Sequence, residues 1–281
     1  MQKTKTAISA EFFPPKTEEG ARQILRAANA IKNFPLDFVS ITYGAGGSSR
    51  ERTIEYGELL AEIFNFEVMP HLTCVGHSVD ELRGIISGYG KRGFKRIMAL
   101  RGDPPKNEPN FKPHPNGLAH ASELISLIKS EFPEIKIACA GYPEKHPEAP
   151  DMATDLQNLK RKTDLGADMV LTQLFFDNRA FYAFEKSCRE VGITAPIHAG
   201  IMPALSLKQV RTFCAMCGST LPQELEERLA GAKSEAEEAE IGIEWANAQI
   251  SELMQNGASG IHLYILNRPS SAIALMKNLF S

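Results

Sequence analysis

The chain has 281 residues, of which 43% are apolar and 23% are charged, and its formal net charge is −3. This composition is typical of globular proteins, and the length suits one α/β barrel or two smaller domains. The small negative charge gives no general attraction to nucleic acid or to an anionic membrane. The sequence contains neither the apolar core of a signal peptide nor a run of roughly 18 apolar residues that would span a bilayer. We therefore expect a cytoplasmic protein.

The five cysteines are an odd and scattered set, which indicates reduced thiols. Cys214 and Cys217 form the only CxxC motif, but no second Cys or His pair accompanies it, so we expect helix-packing thiols rather than a zinc site. His71 and Cys74 also lack a matching second half. No metal site is predicted.

The first half of the chain alternates between β-rich and helical patterns. The first predicted strand must end at Pro14 and Pro15, because neither proline can donate to a β-ladder. Ser48 and Glu51 form a capping box that would open the second helix. The predicted strands cover 4–13, 37–42, 67–73 and 95–100, and the first and third helices cover 17–33 and 78–92.

The second half repeats the scheme. A capping box at Ser234 and Glu237 opens a long helix that Gly257 can end. The predicted strands cover 134–140, 168–175, 196–199 and 260–265. The other predicted helices cover 118–131, 152–165, 179–191, 207–217, 222–229 and 271–279.

Eight strands that are each followed by a helix favour a parallel sheet that is buried on both faces. Eight such units closing on themselves make a (β/α)8 TIM barrel, and we expect one catalytic domain over 1–281. The alternative is a doubly wound open sheet.

Polar residues follow most of the predicted strands. In a barrel of this kind the chemistry lies at the carboxyl ends of the strands, so these residues would converge on one rim. For single residues the structural alternatives stay open: Asp103 can cap a turn, and Arg101 can pair with it in solvent. The strand-end residues are Glu11, Thr42, Tyr43, His71, Arg101, Gly102, Asp103, Ala140, Tyr142, Gln173 and Arg268.

Glu11 lies near the end of the first strand, beside Phe12 and Phe13. A carboxyl next to aromatic surface loses hydration, which raises its pKa toward that of a general acid. The alternative is a strand-end glutamate that faces water.

Two further patterns suggest phosphate binding. The glycines at 44, 46 and 47 give a weak nucleotide signal, since Ser49 stands where GxGxxG needs its third glycine. On the fifth helix, Asp155, Asn158 and Lys162 share one face, and the basic run 160–162 would grip a diphosphate. The alternative there is a solvated basic face.

Together these stretches resemble the methylenetetrahydrofolate reductase family, in its bacterial single-domain form. The matching segments occur in the family's order over nearly the whole chain: EFFPPK at 11–16, FVSITYGA at 38–45, PHLTC at 70–74, ALRGD at 99–103, YPEKHPE at 142–148, NLKRK at 158–162, TQ at 172–173 and LNR at 266–268. The large C-terminal regulatory domain of eukaryotic relatives is absent from this sequence.

The resemblance implies a homo-oligomeric flavoprotein of one-carbon metabolism that feeds methionine synthesis. FAD would be reduced by NADH or NADPH, and after the nicotinamide leaves, methylenetetrahydrofolate would be reduced to 5-methyltetrahydrofolate at the same site, in a ping-pong mechanism. Glu11 matches the family's general acid, which protonates the folate nitrogen that departs as the five-membered ring opens. Asp103 matches an aspartate near the flavin and the pterin, where its charge favours a cationic substrate.

The remaining site residues follow from the same match. The positions that would bind FAD are Thr42, Tyr43, Ala45, His71, Arg101, Gly102, Asp103, His120, Ala121, Ala140, Tyr142, His146, Asp155, Asn158, Arg161 and Lys162. The positions that would bind folate or nicotinamide are Glu11, Gln173, Gln209, Phe213 and Arg268. His120 stands where many relatives carry an aromatic residue, and residues 104–116 follow no family pattern, so no role is assigned to that loop.

Two rival functions remain at this point. One is a different oxidase on a flavin-bearing barrel, such as a proline dehydrogenase-like enzyme, which would need a basic clamp for a carboxylate. The other is a non-catalytic accessory subunit that passes electrons within a complex. Glu11, Asp103 and Gln173 together argue against both, and the choice between NADH and NADPH stays open.

Overall fold

In the computed structural model, which describes residues 6–43, 50–103 and 114–280, eight parallel strands close into a barrel in chain order. The last strand pairs with the first, and Ser9 lies opposite His262 in that register. The strands are β1 (Ala7–Phe12), β2 (Phe38–Ile41), β3 (Val68–Thr73), β4 (Arg96–Leu100), β5 (Lys136–Gly141), β6 (Met169–Thr172), β7 (Ile197–Ile201) and β8 (Gly260–Tyr264). The predicted TIM barrel is confirmed, and the open-sheet alternative is wrong.

The described residues form ten helices, with three of them between β7 and β8. They are α1 (Glu18–Ile31), α2 (Arg50–Phe64), α3 (Val79–Lys91), α4 (Ala121–Glu131), α5 (Met152–Asp164), α6 (Asn178–Glu190), α7 (Leu207–Cys217), α8 (Gln223–Ala230), α9 (Glu235–Gln255) and α10 (Pro269–Leu279). No helix in the described part of the chain is long and apolar enough to cross a membrane.

Alternation along each strand divides its side chains between two environments. Phe12 is fully buried in the layer between barrel and helices, where its ring centroid lies 6.4 Å from that of Phe66. Inside the barrel, a second apolar cluster contains Phe38, Met69 and Met98. This cluster fills the barrel interior below the carboxyl-terminal mouth, so the polar side chains at the mouth lie directly above closely packed apolar side chains.

Local capping explains where several helices begin. Ser78 and Glu81 form a complete capping box at the start of α3. At α9, Ser234 accepts from the N–H of Glu237, but the Glu237 carboxylate accepts from the N–H of Lys233, so the predicted capping box is only half formed. The predicted capping box at Ser48 and the glycines at 44, 46 and 47 lie outside the described residues.

Several predicted elements were too long, and two of them have a clear structural reason. The helix predicted from 118 begins only at Ala121, because the Glu123 carboxylate accepts from the N–H groups of Ala119 and His120 and so caps the helix there. The strand predicted over 168–175 ends at Thr172, after which Phe175 packs beneath the helices and stacks on Phe181. Its apolar run belongs partly to a loop buried under the helix layer.

Candidate active site

A polar cluster surrounds Glu11 inside the barrel near its carboxyl-terminal mouth. The residue is only 6% exposed, and its Oε2 lies 3.3 Å from His71 Nε2 and 3.6 Å from His262 Nε2. Ser40 Oγ donates to the same oxygen at 3.3 Å. Behind this group, His262 Nδ1 lies 2.8 Å from Ser9 Oγ. One carboxylate is therefore held between two imidazoles and a hydroxyl.

This arrangement corrects the predicted protonation of Glu11. Burial raises the pKa of the carboxyl, but the interactions with His262 and His71 outweigh burial and lower that pKa from 4.5 to about 2. The aromatic neighbours do not act as expected, because Phe12 faces the outer layer of the barrel wall and Phe13 is 36% exposed. Glu11 is an ionised carboxylate with imidazole nitrogens as its neighbours.

Two adjoining cavities open at the same carboxyl-terminal end of the barrel and share five lining residues, among them Arg101, Tyr142 and Lys162. The inner cavity, of about 260 Å³, is lined by Tyr43, Thr73, Ala99, Leu100, Arg101, Gly102, Asp103, Ala121, Ala140, Tyr142, His146 and Lys162. The outer cavity, of about 310 Å³, is lined by Arg101, His120, Ala121, Ser122, Tyr142, His146, Glu148, Ala149, Pro150, Asp155, Asn158, Arg161 and Lys162. Thirteen positions expected from sequence to bind FAD thus lie around one continuous space.

Gly102 shapes the inner cavity. Its φ is +89°, and an added Cβ would lie 2.7 Å from the Cβ of Thr73. Only glycine fits this position without strain. Thr73 Oγ1 is buried and has no hydrogen-bond partner among the described residues, although Thr73 lines the cavity. Thr73 therefore contributes to the cavity wall a residue whose buried hydroxyl has no partner in the described part of the chain.

The basic run on α5 divides between two environments. Lys160 pairs with Asp164 at 2.8 Å, as the solvated-face alternative required. Lys162 and Arg161 line the outer cavity, and the Nζ of Lys162 donates to the carbonyl of Ala140 at 2.6 Å. Arg161 is exposed and makes no ion pair with the carboxylates that the structure describes. Its guanidinium is available to an anion.

Arg101 does not pair with Asp103 as the structural alternative supposed. Its guanidinium makes two hydrogen bonds to Glu148, at 2.5 and 2.9 Å. Tyr142 lies beside it, and burial raises the pKa of that phenol to about 12. The Tyr142 hydroxyl is therefore a neutral donor at physiological pH.

The other predicted positions lie elsewhere. Gln209 and Arg268 line a separate cavity of about 490 Å³ together with Lys208. Phe213 is not among its lining residues and packs against the apolar cluster that contains Leu174, so the prediction that Gln209 and Phe213 share a cavity is not met.

Besides Phe213, four expected site residues are not among those lining the cavities described above: Glu11, Thr42, His71 and Gln173. His71 contacts Glu11, the carbonyl of Thr42 accepts from Thr53, and Gln173 Oε1 accepts from the N–H of Leu174. Ala45 lies outside the described residues.

Sequence reasoning missed several residues of the site. Ser40 and His262 contact Glu11, and Thr73 and Glu148 line the cavities. The available signal was strand alternation: position 262 lies two residues before the end of β8 and shares its inward face with Tyr264. Within the described ranges, no group of three His, Cys, Asp or Glu residues is placed to hold a metal ion.

Comparison with known proteins gives consistent matches. The chain matches the methylenetetrahydrofolate reductase family over residues 1–280. It is 36% identical to 5,10-methylenetetrahydrofolate reductase of Escherichia coli K12, covering 97% of this chain and 90% of that protein. It is also 36% identical to methylenetetrahydrofolate reductase (NADH) 1 of Arabidopsis thaliana, over 98% of this chain but only 48% of the relative, so it spans about half the length of that plant protein.

A solved structure with the same fold comes from Clostridium thermocellum. That protein is described as uncharacterized and as binding two copies of 5-methyl-5,6,7,8-tetrahydrofolic acid. It superposes with a TM-score of 0.72 at 16% sequence identity and covers 99% of this chain and 96% of its own. At that identity the likeness concerns the fold.

Proposed function

This chain belongs to the methylenetetrahydrofolate reductase family of oxidoreductases, and on that premise we propose that it reduces 5,10-methylenetetrahydrofolate to 5-methyltetrahydrofolate, with FAD as cofactor and NADH or NADPH as electron donor. The observation that carries the proposal is the position of Glu11. Its carboxylate is buried beside His71 and His262, near the carboxyl-terminal end of the barrel at which the two cavities open.

The two adjoining cavities fit a flavin dinucleotide. The exposed guanidinium of Arg161 and the ammonium of Lys162 suit a diphosphate. The neutral Tyr142 phenol, and the Thr73 hydroxyl, which has no partner among the described residues, suit polar atoms of a ring system. Gly102 lines the inner cavity, and its lack of a side chain leaves room for Thr73, which lines the same cavity. When bound, FAD would supply a carrier that accepts two electrons from nicotinamide and passes them to folate.

Glu11 must hold a proton before it can act as an acid. With its pKa lowered to about 2, the isolated carboxyl is ionised near neutral pH, so the proton must come from a neighbour. The nearest nitrogens are Nε2 of His71 and Nε2 of His262. When the His262 ring carries a proton on both nitrogens, Nδ1 can donate to Ser9 Oγ and Nε2–H faces Glu11, so passing the Nε2 proton to Glu11 leaves a neutral imidazole. We infer that these groups act as one proton-donating unit toward the folate nitrogen.

Asp103 lies at the edge of the inner cavity and is exposed. Its charge would stabilise the cationic iminium that forms when the five-membered ring of the substrate opens. Gln173, Gln209, Phe213 and Arg268 remain the proposed contacts for folate and nicotinamide, and a homo-oligomer remains the proposed assembly.

The decisive experiment separates the two half-reactions under anaerobic conditions. The purified protein should be yellow, its flavin absorbance should be bleached by NADH or NADPH, and methylenetetrahydrofolate should restore it. Titration with each nicotinamide in turn identifies the donor. If neither NADH nor NADPH bleaches the flavin, the accessory-subunit function is favoured. If a proline-derived imine reoxidises the flavin and methylenetetrahydrofolate does not, the rival oxidase is favoured.

A further inference from the structure

One residue that lines the outer cavity, Glu148, carries a negative charge to which the proposed function assigns no role. Glu148 and Arg101 both line this cavity, and their side chains form a two-pronged ion pair. The same cavity offers Arg161 and Lys162, and Lys162 already donates to a backbone carbonyl. Of its three long cations, only Arg101 is therefore neutralised by a carboxylate within the described chain.

The backbone that carries Glu148 is firmly held. The N–H of Glu148 donates to Nδ1 of His146, and the N–H of His146 donates to the carboxylate of Asp155. The Nζ of Lys145 donates to the carbonyls of His146 and Ala149, at 3.0 and 2.5 Å. These contacts hold the backbone of the loop and do not involve the Glu148 carboxylate. The Glu148 side chain can therefore rotate away from Arg101 without a change in the backbone.

The second acid of the cavity has a different role. Asp155 accepts the N–H of His146, so its charge is used in holding the loop. Glu148, in contrast, is 58% exposed and has Arg101 as its only ion-pair partner among the described residues. An exposed pair of this kind is worth ~1 kcal/mol at most, so an arriving anion can displace it.

We propose that Glu148 competes with the cofactor's diphosphate for Arg101 and thereby sets how tightly the cofactor is held. A diphosphate that uses Arg101 must first displace the Glu148 carboxylate, and it then lies close to that negative charge. The inference rests on the proposed function, because it takes the cofactor to be a dinucleotide with a diphosphate.

The test measures the binding of FAD to cofactor-stripped protein, and the quenching of flavin fluorescence reports the bound fraction. Glu148→Gln keeps the shape of the side chain but removes its charge, and we expect binding to tighten about fivefold, which matches ~1 kcal/mol. Glu144→Gln is the matched control, since Glu144 lies in the same loop, accepts from the N–H of Thr220 and does not line either cofactor cavity. Its FAD affinity should equal that of the wild type.

Repeating the Glu148→Gln comparison in the Arg101→Lys protein separates competition for Arg101 from a general effect of the negative charge. Arg101→Lys keeps the cation but cannot form the two-pronged pair, so the gain from Glu148→Gln should fall below about twofold in that background. Unchanged or weaker binding by Glu148→Gln would overturn the inference, as would a full fivefold gain in the Arg101→Lys protein. Absence of FAD binding by the wild type would instead contradict the proposed function.

Discussion

Glu11 and His71 face each other across the interior of the barrel, with the carboxylate Oε2 3.3 Å from the imidazole Nε2. They lie on β1 and β3, which are not adjacent in the sheet but both border β2. Ser40 on β2 lies between them and donates to the same carboxylate oxygen. Barrel curvature therefore brings three strands to one point, and the proton chemistry proposed for this protein depends on that convergence.

Replacing Glu11 by glutamine should separate the two half-reactions. The amide keeps the size of the side chain and its hydrogen bonding but cannot deliver the proton, so we expect folate reduction to slow by about 10²- to 10⁴-fold. Flavin content and bleaching by reduced nicotinamide should stay close to those of the wild type. Stopped-flow absorbance measures both steps, and folate turnover at the wild-type rate would contradict the role of Glu11.

The lowered pKa of Glu11 predicts an acid-sensitive contribution to stability. Because the pKa falls from 4.5 to about 2 on folding, the stabilisation is fully present above pH 4.5 and is lost as the pH falls from there toward 2. The contribution is on the order of 3 kcal/mol. Urea unfolding between pH 6 and pH 3 should show a steeper loss of stability for the wild type than for Glu11→Gln. Parallel curves would show that the imidazoles do not hold this carboxylate ionised.

Adjacent cations on α5 offer a matched pair of substitutions. Arg161→Gln should weaken FAD binding about tenfold, because this residue lines the outer cavity and its guanidinium has no ion pair with any described carboxylate. Lys160→Gln removes the neighbouring charge, which is paired with Asp164, and should change the affinity less than about twofold. Fluorescence titration of the stripped proteins measures both. Equal effects would mean that α5 acts only through its net charge.

Gly102 and Gly84 form a second matched pair. Gly102→Ala forces a side chain into φ +89° and against Thr73, so we expect a loss of about 1–3 kcal/mol in the free energy of unfolding and a lower flavin content. Gly84→Ala places its methyl group on α3, where no described atom beyond the helix's own nearby backbone and the adjacent residues lies within 4 Å, and it should be neutral or slightly stabilising. Thermal unfolding and the flavin-to-protein absorbance ratio measure both outcomes. Retention of full flavin content by Gly102→Ala would show that the strain at this glycine does not disturb the inner cavity.

Much of the architecture was predictable because it follows from local patterns. Strand and helix periodicity, proline positions and caps are read within a few residues, and they placed all eight strands. The spacing along α5 likewise predicted that Asp155, Asn158 and Lys162 share a face, and all three line the outer cavity. The errors came where burial overrode pattern, as in the apolar run after Thr172 that belongs to a loop rather than to β6.

The sequence by itself determined that eight βα units form this chain and that polar residues end most strands, because both are local properties. Tertiary structure alone decided what each polar group faces. Closure of the barrel places His262 and Ser9 side by side although they are 253 residues apart, and this neighbour reverses the expected shift in the pKa of Glu11. Interactions between charges depend on distance in space, and only the closed barrel sets that distance.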